Sequence, residues 1–175
     1  MRVYRAPIAG IFTKIANALT NGGLKKKQEK LGYDDIYHLS LRMQLRKDKS
    51  VQIIKLEKNE TVQINISSFA ADPGQKTQYA FINRPINETL KEFYEKGRAA
   101  YLDDREFFGY DSINNNCQQF MNTMLKANGI SSPQLTEFIM QDSMELLGRD
   151  FPALREIMSG ITDLAQLWSR IHEGD

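Results

Sequence analysis

From Ile36 to Leu45 the chain alternates, with Leu39, Leu41, Met43 and Leu45 set against His38, Ser40, Arg42 and Gln44. A period of two gathers those apolar side chains on one side only if the segment is a strand. Two more runs of strand-forming residues follow, VQIIKLEK at 51–58 and TVQINI at 61–66. Arg46-Lys47-Asp48-Lys49 and Asn59-Glu60 supply the turns between them. The three segments read as an antiparallel meander with one core face and one polar face carrying His38. A loop containing Asp72-Pro73-Gly74 then leads to a short fourth strand, Tyr79–Ile82.

The remainder has helical spacing. In residues 7–19, Ile8, Ile11, Phe12, Ile15 and Leu19 share one stripe, Pro7 suits the first turn, and Asn21-Gly22-Gly23 is a stop. The following Lys25-Lys26-Lys27 and Lys30 read as a solvated linker. Binding to an anionic membrane surface is the minority reading, since each lysine supplies only about 1 kcal/mol there. After the strands, Asn87 is positioned to cap a helix carrying Leu90, Phe93, Tyr94 and Tyr101. Residues 103–110 read as irregular and aromatic. Asn116 or Asn115 caps a helix that begins near Cys117 and stops at Asn128-Gly129. Ser132-Pro133 opens another helix expected to reach Gly148, and Phe151-Pro152 opens the last. The layout is α+β: a small antiparallel meander packed against helices. It divides into an N-terminal helix and basic linker (1–32), a core (33–130) and a C-terminal helical extension (131–175).

Net charge is +1, so no bulk electrostatics argue for nucleic acid, and one short lysine run without interleaved aromatics adds little. The longest apolar-leaning stretches, near 9–19 and 161–168, fall short of the roughly 20 residues of a membrane span. Arg2 and Arg5 precede no apolar core with a cleavage site, so no secretory signal is read. Sequons at Asn59, Asn65 and Asn87 are then incidental. The single cysteine precludes an intrachain disulfide and a cysteine-based zinc site, and no cofactor or metal is expected. A reducing intracellular compartment fits this usage.

That cysteine carries the most chemistry. Phe120, Met121, Met124 and Leu125 follow Cys117 at i+3, i+4, i+7 and i+8, so it begins a buried stripe and is by default a small core residue. It also lies in a first helical turn. Backbone N–H groups there lack intrahelical partners, and the helix dipole puts partial positive charge beside the sulfur. Both favour thiolate, and the same N–H groups can hold an oxyanion. A general base must come from His38 or His172, and His172 is three residues from the end of the sequence.

Tyr37-His38-Leu39 on a first strand, two further strands, the helix around Leu90-Lys91-Glu92-Phe93-Tyr94, the aromatic approach Phe107-Phe108-Gly109-Tyr110, and Asn116-Cys117-Gln118-Gln119-Phe120 occur in that order. The arrangement resembles circularly permuted papain-like hydrolases, a group with NlpC-related enzymes, lecithin–retinol acyltransferase relatives and PPPDE peptidases. It covers roughly residues 33–129. The resemblance implies a permuted papain-like core with N- and C-terminal helical extensions, and a Cys117–His38 dyad acting through an acyl-enzyme. Such a dyad is defined by geometry and not by chain order.

In those families a polar residue on the next strand orients the histidine. Glu57 and Gln52 are the candidates. A hairpin centred near Lys47-Asp48 puts residue 57 or 58 opposite His38, favouring Glu57, while a one-residue slip substitutes Lys58. An exposed, strand-end Glu57 beside Lys58 is the plain alternative. Gln118 or Asn116 is a candidate donor near the oxyanion, although capping alone explains Asn116.

The sequence departs from the family in lacking a second histidine after His38, which weakens a lipid-acyltransferase role and leaves peptidase, amidase or thioesterase chemistry on a peptide or lipid amide or ester. It also adds an apolar-rich extension, including Leu146, Leu154 and Trp168, suited to covering the core or a protein partner. The competing reading is a non-catalytic structural or assembly protein, for example in a virion or a membrane-associated complex, that retains the fold.

Overall fold

The structure is a computed structural model and describes residues 1–8, 21–30, 37–47, 49–70, 76–83, 87–111 and 114–140. Five strands form one antiparallel sheet: β1 (Arg2–Pro7), β2 (Tyr37–Lys47), β3 (Ser50–Lys58), β4 (Val62–Ser67) and β5 (Gln78–Phe81). Their spatial order is β4-β3-β2-β1-β5. The helices are α1 (Gly23–Lys30), α2 (Leu90–Arg98), α3 (Asp104–Phe108), α4 (Cys117–Ala127) and α5 (Pro133–Ile139). An α+β fold and the β2–β3–β4 meander therefore stand.

The sequence does not announce β1. Met1 to Ala6 is too short for its period to be read, and tertiary pairing makes the strand. It bonds β2 from Arg2↔Arg42 to Pro7↔Tyr37, and β5 from Arg2↔Phe81 to Arg5↔Gln78. Pro7 thus closes a strand instead of opening a helix, and the body of the expected 7–19 helix lies outside the described residues. β5 consequently joins β1 and not β4. Asn21 and Gly22 take positive φ, 48° and 77°, and they lead into α1 where a helix stop was expected. The fully buried Leu24 anchors α1, so the basic run expected to be a linker is helical.

The core lies between the Leu39, Leu41, Met43 and Leu56 face of the sheet and α4, with Phe93 of α2 and Phe107 of α3 closing it. Phe107 is fully buried and meets the rings of Tyr94, Tyr101 and Phe120 at centroid separations of 5.2–5.9 Å. Burial of such side chains contributes roughly 1.5–3 kcal/mol each. This cluster is why part of 103–110, expected to be irregular, folds into α3, with Asp103 capping it by accepting from the Glu106 N–H at 2.8 Å.

Helix ends also correct the sequence. The N-cap of α2 is Thr89, not Asn87; Thr89 accepts from the Glu92 N–H while Glu92 accepts from the Thr89 N–H, a reciprocal capping box. At the end of α4, Gly129 has φ 67°, its N–H reaches Lys126 O, and the Ile130 N–H reaches Leu125 O. That is the Schellman pattern which Asn128-Gly129 foretold. α5 ends at Ile139, because Met140 is extended (ψ 122°). No glycine or proline marks that stop, which is why the sequence carried the helix on to Gly148. The expected final helix, with His172, lies outside the described residues.

Candidate active site

Cys117 is the first residue of α4 and is 5% exposed. Asn116 caps the helix: its Oδ1 accepts from the N–H groups of Gln118 at 2.8 Å and Gln119 at 3.3 Å, and Gln119 Oε1 accepts from the Asn116 N–H at 3.3 Å. The cap therefore takes two of the first-turn N–H groups that the sequence offered to an oxyanion. The N–H of Cys117 itself is not among those the cap takes. Gln118 is buried, and Asn116 acts as the cap.

His38 is the second residue of β2, paired with Ala6 on β1, and its side chain is 31% exposed. The ring meets two partners. Nε2 lies 3.1 Å from Glu57 Oε2, and the ring also hydrogen-bonds Cys117. With Nε2 engaged by Glu57, Nδ1 is the nitrogen left for the sulfur. The structure thus brings Cys117, His38 and Glu57 together.

The β2–β3 register differs from the expected one. Ser40, not His38, is opposite Glu57, because the ladder closes on Lys47↔Ser50 one residue later in the turn. Moving the turn centre by one residue changes the partner by two, so Glu57 keeps the His38 face and reaches the ring diagonally. Gln52 pairs with Leu45, is exposed, and lies far along the hairpin on the opposite face. It is not part of the site. Glu57 is not an exposed strand-end charge either: its side chain is 8% exposed, and Oε1 pairs with Lys55 Nζ at 2.7 Å.

Electrostatics follow from this packing. Burial opposes charge on both His38 and Glu57, yet both shift the other way. Burial alone lowers the His38 pKa; the charge and hydrogen bond of Cys117, then those of Glu57, outweigh it and raise the imidazole well above its ordinary range. Burial alone raises Glu57; its bond to His38, the His38 charge and Lys55 outweigh that and hold the carboxyl at about 2. The packing favours the imidazolium form of His38 beside the Glu57 carboxylate. Tyr110, just after α3, is also under the influence of Cys117: burial first, then negative charge at Cys117 and Asp111, raises the phenol and keeps it protonated. The sequence offered Tyr110 only as part of an aromatic approach.

The sequence also missed Lys58. The sequence offered it only as the charge beside Glu57 and as the residue a register slip would substitute; it points to the core face and is fully buried. Its Nζ donates to Asn115 Oδ1 at 2.7 Å and to the Glu106 carbonyl at 3.3 Å. Only the strand's alternation could have signalled this, since residue 58 shares its face with Ile54 and Leu56.

A separate open groove of about 460 Å³ lies along β5 and α5, lined by residues including Tyr79, Phe81, Ile130, Leu135 and Phe138. It contains none of the trio. Among the described residues, no helix is long and apolar enough to cross a membrane, and no group of His, Cys, Asp and Glu is arranged to hold a metal ion. No protein-family model, curated protein or solved structure matches the chain.

Proposed function

We propose that the chain is a cysteine hydrolase with a circularly permuted papain-like core, using Cys117 as nucleophile, His38 as general acid–base and Glu57 as the residue that orients the ring. The observation that carries this reading is the contact chain Cys117–His38–Glu57, assembled from a helix start and two adjacent strands. A structural core cysteine needs no histidine at its sulfur, and a solvent-facing histidine needs no buried carboxylate behind it.

In the proposed cycle the sulfur attacks the carbonyl carbon of an amide or ester, and the C=O electrons move to oxygen. The tetrahedral oxyanion collapses, the leaving group departs with the proton from His38, and a thioester to Cys117 remains. His38 then takes a proton from water as it attacks the thioester, and returns it to the departing sulfur. Glu57 accepts from Nε2–H throughout, fixing the tautomer and supporting the imidazolium. The substrate class is a peptide or lipid amide or ester, and a reducing compartment would keep the thiol free.

The test is the rate of Cys117 alkylation by iodoacetamide against pH, in wild type and His38→Ala. Rapid alkylation at pH 6 that His38→Ala slows by about tenfold or more supports the dyad. A thiol that is inert, or unaffected by His38→Ala, makes Cys117 a packing residue and favours the assembly role.

A further inference from the structure

We propose that Lys58 is a positioning residue for Cys117, tying the loop before α4 to the strand that carries Glu57. This rests on the hydrolase reading above. Glu57 and Lys58 are consecutive on β3 and so face opposite ways. One meets His38; the other meets Asn115, two residues before Cys117. The end of β3 therefore holds both partners of the dyad at once.

The loop is built around Asn115. Its Oδ1 accepts from Lys58 Nζ, its Nδ2 donates to the carbonyls of Glu106 at 2.6 Å and Gly109 at 2.9 Å, and its backbone exchanges hydrogen bonds with Asp111 at 3.0 and 3.2 Å. Lys58 Nζ also accompanies Asn115 Nδ2 at the Glu106 carbonyl, and lies 5.5 Å and 5.7 Å from the ring centroids of Tyr101 and Phe120. Moving Asn115 moves Asn116, whose side chain caps α4 and so sets where the helix, and its first residue, begins.

A buried ammonium is an expensive anchor. Burial drives its pKa down to about 8, with the charge of Glu106 acting in the opposite direction. An apolar side chain of similar length would fill the same space without that cost. What the lysine supplies and a methionine does not is a directed donor at Asn115 Oδ1. Its function is accordingly geometric, at the loop, and not general packing.

The experiment measures iodoacetamide alkylation of Cys117 from pH 5 to 9 in the full chain, for wild type, Lys58→Met, Asn115→Ala and the double variant, with N-acetylcysteine as the unperturbed thiol. Thermal unfolding and near-ultraviolet circular dichroism report whether each variant is folded. Expected are folded single variants with alkylation at pH 6 reduced about tenfold, profiles displaced towards N-acetylcysteine, and a double variant no slower than the slower single. A folded Lys58→Met with a wild-type profile, in a background where His38→Ala still slows the reaction, overturns the Lys58 proposal alone. If Lys58→Met does not fold, Asn115→Ala decides, because Asn115 is only half-buried; a wild-type profile there overturns the proposal equally. A wild-type thiol indifferent to His38→Ala overturns the hydrolase reading and this inference with it.

Discussion

Glu57 Oε2 lies 3.1 Å from His38 Nε2 although the ladder pairs Glu57 with Ser40. The contact is a diagonal between next-but-one positions on one face, within reach of long side chains. It buries a carboxylate behind a partly exposed ring, the order required for the ring to present its other nitrogen to Cys117.

Replacing Glu57 tests that diagonal. Glu57→Gln keeps an oxygen for Nε2–H but removes the charge that supports the imidazolium. Alkylation of Cys117 at pH 6 is expected to fall by about three- to tenfold, with a smaller loss on further replacement of Lys55, which meets the far oxygen. A one-unit change in proton affinity corresponds to tenfold, so both fall within a stopped-flow or mass-spectrometric time course. An unchanged profile would leave Glu57 without a role at the ring.

The same pair sets a pH window for stability. Glu57 is depressed from 4.5 to about 2, so its contribution is complete above pH 4.5 and is lost as pH falls towards 2. His38 is raised from 6.5 to about 10, so its contribution is complete below pH 6.5 and is lost as pH rises towards 10. Both are present between 4.5 and 6.5. The difference in unfolding free energy between wild type and His38→Ala, from urea titrations, should peak there and narrow on either side, by on the order of 1–2 kcal/mol. A difference that is flat in pH would contradict the linkage.

Asn116 separates capping from chemistry. Asn116→Ala removes an acceptor for two N–H groups and should cost about 1 kcal/mol in chemical unfolding. Asn116→Asp caps about as well as asparagine, but it places negative charge beside the sulfur. Stability close to wild type with slower alkylation at pH 6 is expected; equal losses of both in the two variants would mean that the cap acts only through folding.

Gly97 of α2 packs against Met124 of α4. A methyl group there would overlap the side-chain end of Met124, which is fully buried. Alanine improves helix propensity by about 1 kcal/mol, but overpacking costs about 1–3 kcal/mol. Gly97→Ala should therefore lower the melting temperature modestly, and Met124→Ala should cost less in that background than alone. Additive losses would show that the two positions do not share the space.

The chain's own order of residues determined the elements with strong local signals. Alternation from 36 to 45 marked β2 and put His38 on its face; Asn116 and Asn128-Gly129 bounded α4 around Cys117; two meander turns set β3 and β4 within a residue. These depend on contacts between near neighbours, and local chemistry encodes them. Tertiary structure decided the rest. β1 exists because β2 and β5 offer it hydrogen bonds on both sides, and α3 because Phe107 has a core to enter. Glu57 meets His38, and Gln52 does not, because the length of the turn fixes a register that every pair of the β2–β3 ladder then follows. Lys58 is inside because an alternating strand must turn every second residue towards the helices, whatever its charge. A sequence shows which groups can face one another, but only the closed sheet and the helix laid on it determine which of them meet.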